Sequence, residues 1–495
     1  MNLEMICDQL NRFVIEREDL YWRNWVGLQD EIDISGVYSK YPELFTLETI
    51  DTVRHALVAA DDPEIKTFYR AVLGQITLSY MEFVSAEYQQ EILKKEAQAE
   101  VTWRGEKVPF RAFRVRIFNE HDRSIRREMM SLRGEVENRV INPFRIQLVE
   151  RMRKAVEDMG YRHYGELCEE TQNRKFDAFA QEMEAFLDET EPLYRKYLDV
   201  YLQKFSGISL SKEAHSSDIS AIMRCSLYDD DFPQKNLMSV LKKTIGGMGF
   251  ALDKIHLDLE SRPSKTMRPC VCAVNPPGDV RLTLSPVGGF EDYSSLLHEM
   301  GHALHFTHER EDLEFIYKFW GDRGFTEGTA YLFQNIAMNR LWLKELIGMK
   351  EPEDLIRYSA FMAILRFRRL IGSFLYQMEL FTTKDLSSIR DRYKYHVERA
   401  HQVSFDTDDY LTFDMELYSA GYLRARMFEI QLRESMVEVF GEGWWKTEEA
   451  GNYLRTIFRD GRKSRADDVI RNLGYSCLSS MFYRDRYTEL LLTAE

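Results

Sequence analysis

Apolar residues recur at three- and four-residue spacing through long stretches of this chain, among them SLLHEMGHALHF, FMAILRFRRLIGSFLYQMELF and AGYLRARMFEIQLRESMVEVF. That spacing is the period of a helix with one buried face. Only 12 prolines interrupt 495 residues, and proline is the residue that most strongly breaks a helix. The pattern predicts a mainly α protein. Strand signals are few and local. EVTWRGEKVPFRAF (100 to 113) turns at Arg104-Gly105, and CVCAVNPPGDVRLTLS (270 to 285) sets two β-rich arms around Asn275-Pro-Pro-Gly-Asp279. Both read as hairpins. There is no internal repeat, no low-complexity segment and no Pro/Gly/Ser linker long enough to separate autonomous domains.

A chain of this length can bury a substantial core. Its formal charge of −15 argues against a general nucleic-acid binder, because phosphate contacts need a surplus of Lys and Arg. The arginine-rich stretch from Arg111 to Lys154 is interrupted by Glu120, Asp122, Glu128, Glu135, Glu137 and Glu150, and reads as a solvated, ion-paired helical region. The N-terminal stretch lacks the pattern of a signal peptide, and no run approaches eighteen apolar residues, so no membrane partner is expected. Six cysteines without a CxxC pair (Cys7, Cys168, Cys225, Cys270, Cys272, Cys477) suit reduced thiols and a cytoplasmic location. Cys270 and Cys272 read as strand packing. The sequence does not specify an oligomeric state.

Chemistry concentrates in LLHEMGHALHFTHE, residues 296 to 309. His298-Glu299-Met300-Gly301-His302 is an HExxH sequence. Four residues make just over one helical turn, so both imidazoles project from one face and can bind a single zinc. Glu299 lies beside them, where a carboxylate can take the proton of a zinc-bound water. Leu296, Leu297, Met300, Ala303, Leu304 and Phe306 supply the apolar positions of a buried helix, and Asp292, Ser294 or Ser295 are candidate caps.

Catalytic zinc takes three protein ligands and a water. His308 has the HExxHxxGxxH spacing, but His305 stands where that pattern has its chain-turning glycine. An unbroken helix would point His308 away and leave His305 one turn too far along the axis. In GDRGFTEGTAYLFQNIAMNRLWLKEL (321 to 346), Glu327 falls in the first turn of an apolar helix. The small residues Gly328, Thr329 and Ala330 after it suit close helix packing. Glu327 is the favoured third ligand.

With Glu327 twenty-five residues after the second motif histidine, the chain resembles the thimet oligopeptidase and oligoendopeptidase F family of zinc peptidases. Related peptidyl-dipeptidases and carboxypeptidases of the same helical fold have similar spacing. DVRLTLSPVGGFEDYSSLLHEMGHALHF is similar to that family's strand, loop and active-site helix in order. The resemblance implies one elongated helical body with a deep central channel, carrying small hairpins or a small sheet near the active site. Residues 1–495 would form one peptidase unit, with 1–200 a helical N-terminal part and 201–495 the catalytic part. It implies one zinc ion per chain, oligopeptide substrates, and VRLTLSP (280 to 286) as the edge strand on which a peptide adds.

Such peptidases also stabilise the oxyanion with late tyrosines. Here the segment is YLTFDMELYSAGYLRARMF, 410 to 428. If helical, Tyr410, Asp414, Tyr418 and Tyr422 form one stripe. Gly421-Tyr422 matches the expected Gly-Tyr pair, while Leu417 and Arg426 stand where a histidine and a second tyrosine are expected. Tyr422 or Tyr418 would be the oxyanion donor. Arg424 or Arg426 would bind a substrate carboxylate or form ion pairs; Arg424, Tyr410 and His401 are the candidate substrate contacts. The expected activity is zinc-dependent hydrolysis of oligopeptides. The alternatives are a carboxypeptidase or peptidyl-dipeptidase in which Arg424 captures the C-terminus, or a metal- or peptide-binding protein that has lost turnover.

Overall fold

The structure, a computed structural model, describes residues 1–209, 214–224, 226–266, 269–383, 385–406 and 409–493. Helices dominate it, and the five described strands are short: β1 (Glu100–Trp103), β2 (Glu106–Pro109), β3 (Ile255–Asp258), β4 (Cys270–Asn275) and β5 (Asp279–Thr283). Among the described residues, no helix is long and apolar enough to cross a membrane. The five described cysteines are free thiols; Cys225 lies outside the described residues.

The chain forms two compact units, each assembled from separated stretches. The 200/201 division expected from sequence falls within the helix Asp177–Ser206.

One unit comprises 78–225 and 361–420. In it β1 and β2 form the expected hairpin, with Arg104 and Gly105 both at positive φ (50° and 83°) in the turn. Its interior is aromatic: Tyr194 stacks on Phe361 at 5.7 Å, and Phe186 meets Phe367 at 4.6 Å. The fully buried Arg368 is satisfied there by the Ala400 and Leu187 carbonyls and by the Thr190 hydroxyl. The arginine-rich region is laced into ion pairs, with Arg133 and Arg145 on Glu137, and Arg123 and Arg126 on Asp218.

The other unit comprises 1–77, 226–360 and 421–495 and carries the HExxH motif. Its sheet has the order β3-β5-β4. β4 and β5 form the predicted antiparallel hairpin, and β3, which the sequence reading did not anticipate, pairs with β5 in parallel. This corrects the expectation for 280 to 286. β5 is the central strand, hydrogen-bonded to β3 on one side and β4 on the other, so the edges of this sheet are β3 and β4. The helix Phe290–Thr307 buries Leu296, Leu297, Met300, Ala303, Leu304 and Phe306, the positions its periodicity assigned to the core.

Candidate metal centre

The motif helix begins differently from the sequence expectation. Gly289 is its N-cap residue, and Asp292 reaches back to accept from the amides of Val287 and Gly288, both at 2.6 Å. Asp292 therefore ties the incoming loop to the first turn, where a carboxylate also suits the helix dipole. Ser294 is buried and accepts from Gln334 Nε2 at 3.2 Å.

Two glycines let three helices close around the motif. A side chain at Gly301 would place its Cβ 2.7 Å from Ala330 Cα, and one at Gly328 would meet the Phe428 ring at 2.4 Å. The motif helix thus packs almost backbone to backbone against Arg323–Gln334, which in turn packs against the helix that runs to Phe440. Asp322 caps Arg323–Gln334 by accepting from the Gly324 amide, which puts Glu327 in the second turn rather than the first. The small residues after Glu327 have the packing role their size suggested.

This packing brings His298, His302 and Glu327 together. One ligand atom from each lies within 4.8 Å of the other two, and the Nε2 atoms of His298 and His302 stand 3.4 and 3.5 Å from Glu327 Oε2. Tetrahedral zinc with bonds near 2.0–2.1 Å needs donors roughly 3.4 Å apart, so the residues fit the ion. Burial alone would raise the Glu327 carboxyl, but the two imidazoles outweigh it and hold the group well below its ordinary range. Glu299 sits beside the cluster, where burial and the nearby Glu327 push its carboxyl up to about 7, against the lowering pull of His298 and of the Val271 amide. That amide, on β4, donates to Glu299 Oε2 at 3.0 Å.

The remaining histidines of the segment are placed elsewhere. His305 is fully buried, with Phe306, Phe325 and Phe458 each 5.3 Å from its ring. Burial, with the Arg462 charge, pulls its pKa down to about 3. The helix stops at Thr307 rather than running on, and His308 caps its end with Nδ1 2.8 Å from the Leu304 carbonyl.

The late tyrosine segment is not one helix. Glu416 takes a left-handed conformation (φ 61°), and the helix begins only at Tyr418. Tyr410 lies in a preceding turn, its carbonyl accepting from the Tyr376 hydroxyl, and Asp414 pairs with Gln377. The predicted stripe therefore reduces to Tyr418 and Tyr422, one turn apart. His401 ends the helix Ile389–His401 and is buried, with Nδ1 on the Val397 carbonyl at 2.9 Å and its ring against Phe405. Arg424 is buried as well, bound to Asp467 at 2.5 Å and facing Asp322 at 3.7 Å. Of the two alternatives for Arg424, the ion pair is the one its side chain makes.

Sequence reasoning missed Tyr331. Its ring lies 4.9 Å from that of His298 and 6.4 Å from that of Tyr422. It stands four residues after Glu327, on the same face of the same helix, and that spacing was the signal for it.

No family model matches the chain, and no curated protein matches it. Among solved structures it is similar to "PZ peptidase A with inhibitor 2", with a TM-score of 0.70 over 98% of this chain and 91% of that one, at 14% sequence identity. The chain shares the mainly helical fold of that peptidase.

Proposed function

We propose that this chain is a zinc-dependent metallopeptidase that hydrolyses oligopeptides. The observation that carries the reading is the convergence of His298, His302 and Glu327 at zinc-ligand spacing, with Glu299 alongside. The peptidase fold of the structural neighbour supports it.

His298, His302 and Glu327 would hold one zinc ion, which when bound polarises a water and the scissile carbonyl. Glu299 is the general base and acid. A carboxylate placed beside the metal ligands can take a proton from the attacking water and return it to the leaving amine. The Val271 amide fixes one oxygen of that carboxyl and so its direction. Tyr422, half-buried beside Tyr331, would donate its phenol to the developing oxyanion, with Tyr418 one turn earlier as the other candidate donor. An extended peptide would add along β4. Its outer edge already directs one amide at Glu299, and backbone pairing there holds a peptide without reading its side chains.

A peptide-library digest followed by mass spectrometry tests the assignment. Cleavage abolished by a chelator and restored by zinc is the expected result. No cleavage of any member, or cleavage indifferent to the chelator, would overturn it.

A further inference from the structure

Two arginines stand two residues apart on the helix that carries Tyr422, and their surroundings differ. Arg424 is neutralised by Asp467 and Asp322. Arg426 has no carboxylate within ion-pair distance among the described residues; its neighbours are Tyr331, Tyr483 and Tyr487, with Tyr483 as hydrogen-bond partner. Glu429, one turn further along, is taken by Arg433 at 2.6 Å. The Arg426 Nε is buried without a partner, although the side chain as a whole is only half-buried. A half-buried guanidinium set among rings without a counter-charge is placed to pair with an anion that arrives to meet it.

Its position says which anion. The Arg426 guanidinium carbon lies 4.2 Å over the Tyr331 ring, and that ring lies 4.9 Å from His298. Laid end to end, these separations keep the guanidinium within about 9 Å of the imidazole, the span of two to three extended residues at roughly 3.4 Å each. A carboxylate ending a peptide that many residues beyond the scissile bond falls within this reach. The planar fork of arginine, preset by stacking on Tyr331, matches such a group.

We infer that Arg426, stacked on Tyr331 beside His298, is a specificity-determining residue that binds the free C-terminal carboxylate of the peptide substrate, so that short C-terminal fragments are released. This rests on the metallopeptidase reading and sharpens its substrate class. It also moves the carboxylate contact from Arg424 to Arg426.

The test is a binding comparison in the zinc-loaded Glu299→Gln protein, where turnover does not intervene. A set of tetrapeptides and pentapeptides and their C-terminal amides are titrated by calorimetry. The acids should bind at least about tenfold tighter than the amides, the scale of a charge-assisted pair. Adding Arg426→Gln should bring acid and amide to parity, and Arg426→Lys should restore part of the preference. Equal binding of acid and amide before any change at Arg426 would overturn the inference, and that comparison does not depend on how an Arg426 variant folds. So would a preference that survives Arg426→Gln, or a loss confined to kcat in the parent enzyme, which would place the guanidinium on the oxyanion instead. The library digest separates the two readings. Internal cleavage without acid preference removes the Arg426 role and leaves a peptidase. An acid preference that depends on Arg426, in a chain that cleaves nothing, removes the peptidase and leaves the carboxylate site.

Discussion

The two halves of the motif helix make opposite use of the same residue type. In the N-terminal half, His298 and His302 keep 16% and 13% of their side chains exposed and turn Nε2 toward one oxygen of Glu327. In the C-terminal half, His305 is enclosed by aromatic rings, and His308 folds back on the Leu304 carbonyl. All four lie close together in sequence, so proximity does not separate them. A ligand requires a lone pair that shares a target with others, and among the described residues only the first pair has a buried carboxylate placed opposite. The second pair serves the helix end, one as aromatic-like filling and one as a cap.

That contrast can be broken at several points. The largest effect is expected from Glu299→Gln, which should keep its metal and lose about 10²–10⁴ in kcat, the worth of a general acid–base group; steady-state rates and metal content checked together show whether chemistry alone was lost. Next is Glu327→Ala, where zinc affinity should fall roughly a hundredfold or more, since one of three protein donors is gone; competition with a chromophoric chelator measures it, and unchanged affinity would return attention to His308. Gly301→Ala should cost about 1–3 kcal/mol of stability in a denaturant titration, because its Cβ would fall 2.7 Å from Ala330 Cα.

The smallest effect concerns pH at the C-terminal end of the motif segment. Glu309 is buried, both its oxygens lack hydrogen-bond partners, and burial pushes its carboxyl from 4.5 up to about 8. Its folded pKa exceeds the unfolded one, so its contribution to stability is fully present below about pH 4.5 and is lost as pH rises through about 8. His305 has the opposite sign: its depressed pKa removes stability as pH falls from 6.5 toward 3. Glu309→Gln should therefore raise Tm by a few degrees, about 3 °C, at pH 8 and have less effect at pH 5. An equal shift at both pH values would contradict the burial argument.

Much of this was legible beforehand. The helical class followed from periodicity, and the motif with Glu327 followed from the geometry of one helical turn plus a small-residue stretch on the next helix. The strand order was not legible, because β3 is only four residues long and its alternation, Ile255-His256-Leu257-Asp258, does not say which strand it pairs with; without that pairing β5 looked like an edge. The tyrosine stripe misled because the spacing of Tyr410, Asp414, Tyr418 and Tyr422 is helical while Glu416 and Leu417 both take positive φ, and such a local break leaves no periodic trace. The choice between Arg424 and Arg426 depended on Asp322 and Asp467, which pack against Arg424 from distant parts of the sequence.

Zinc stoichiometry in three matched preparations tests the central claim most directly. Wild-type protein, His302→Leu and His305→Leu would be loaded with zinc, freed of excess and assayed for bound metal per folded chain. The account predicts one zinc in the wild type and in His305→Leu, and almost none in His302→Leu. Retention by His302→Leu, or loss from a folded His305→Leu, would contradict it.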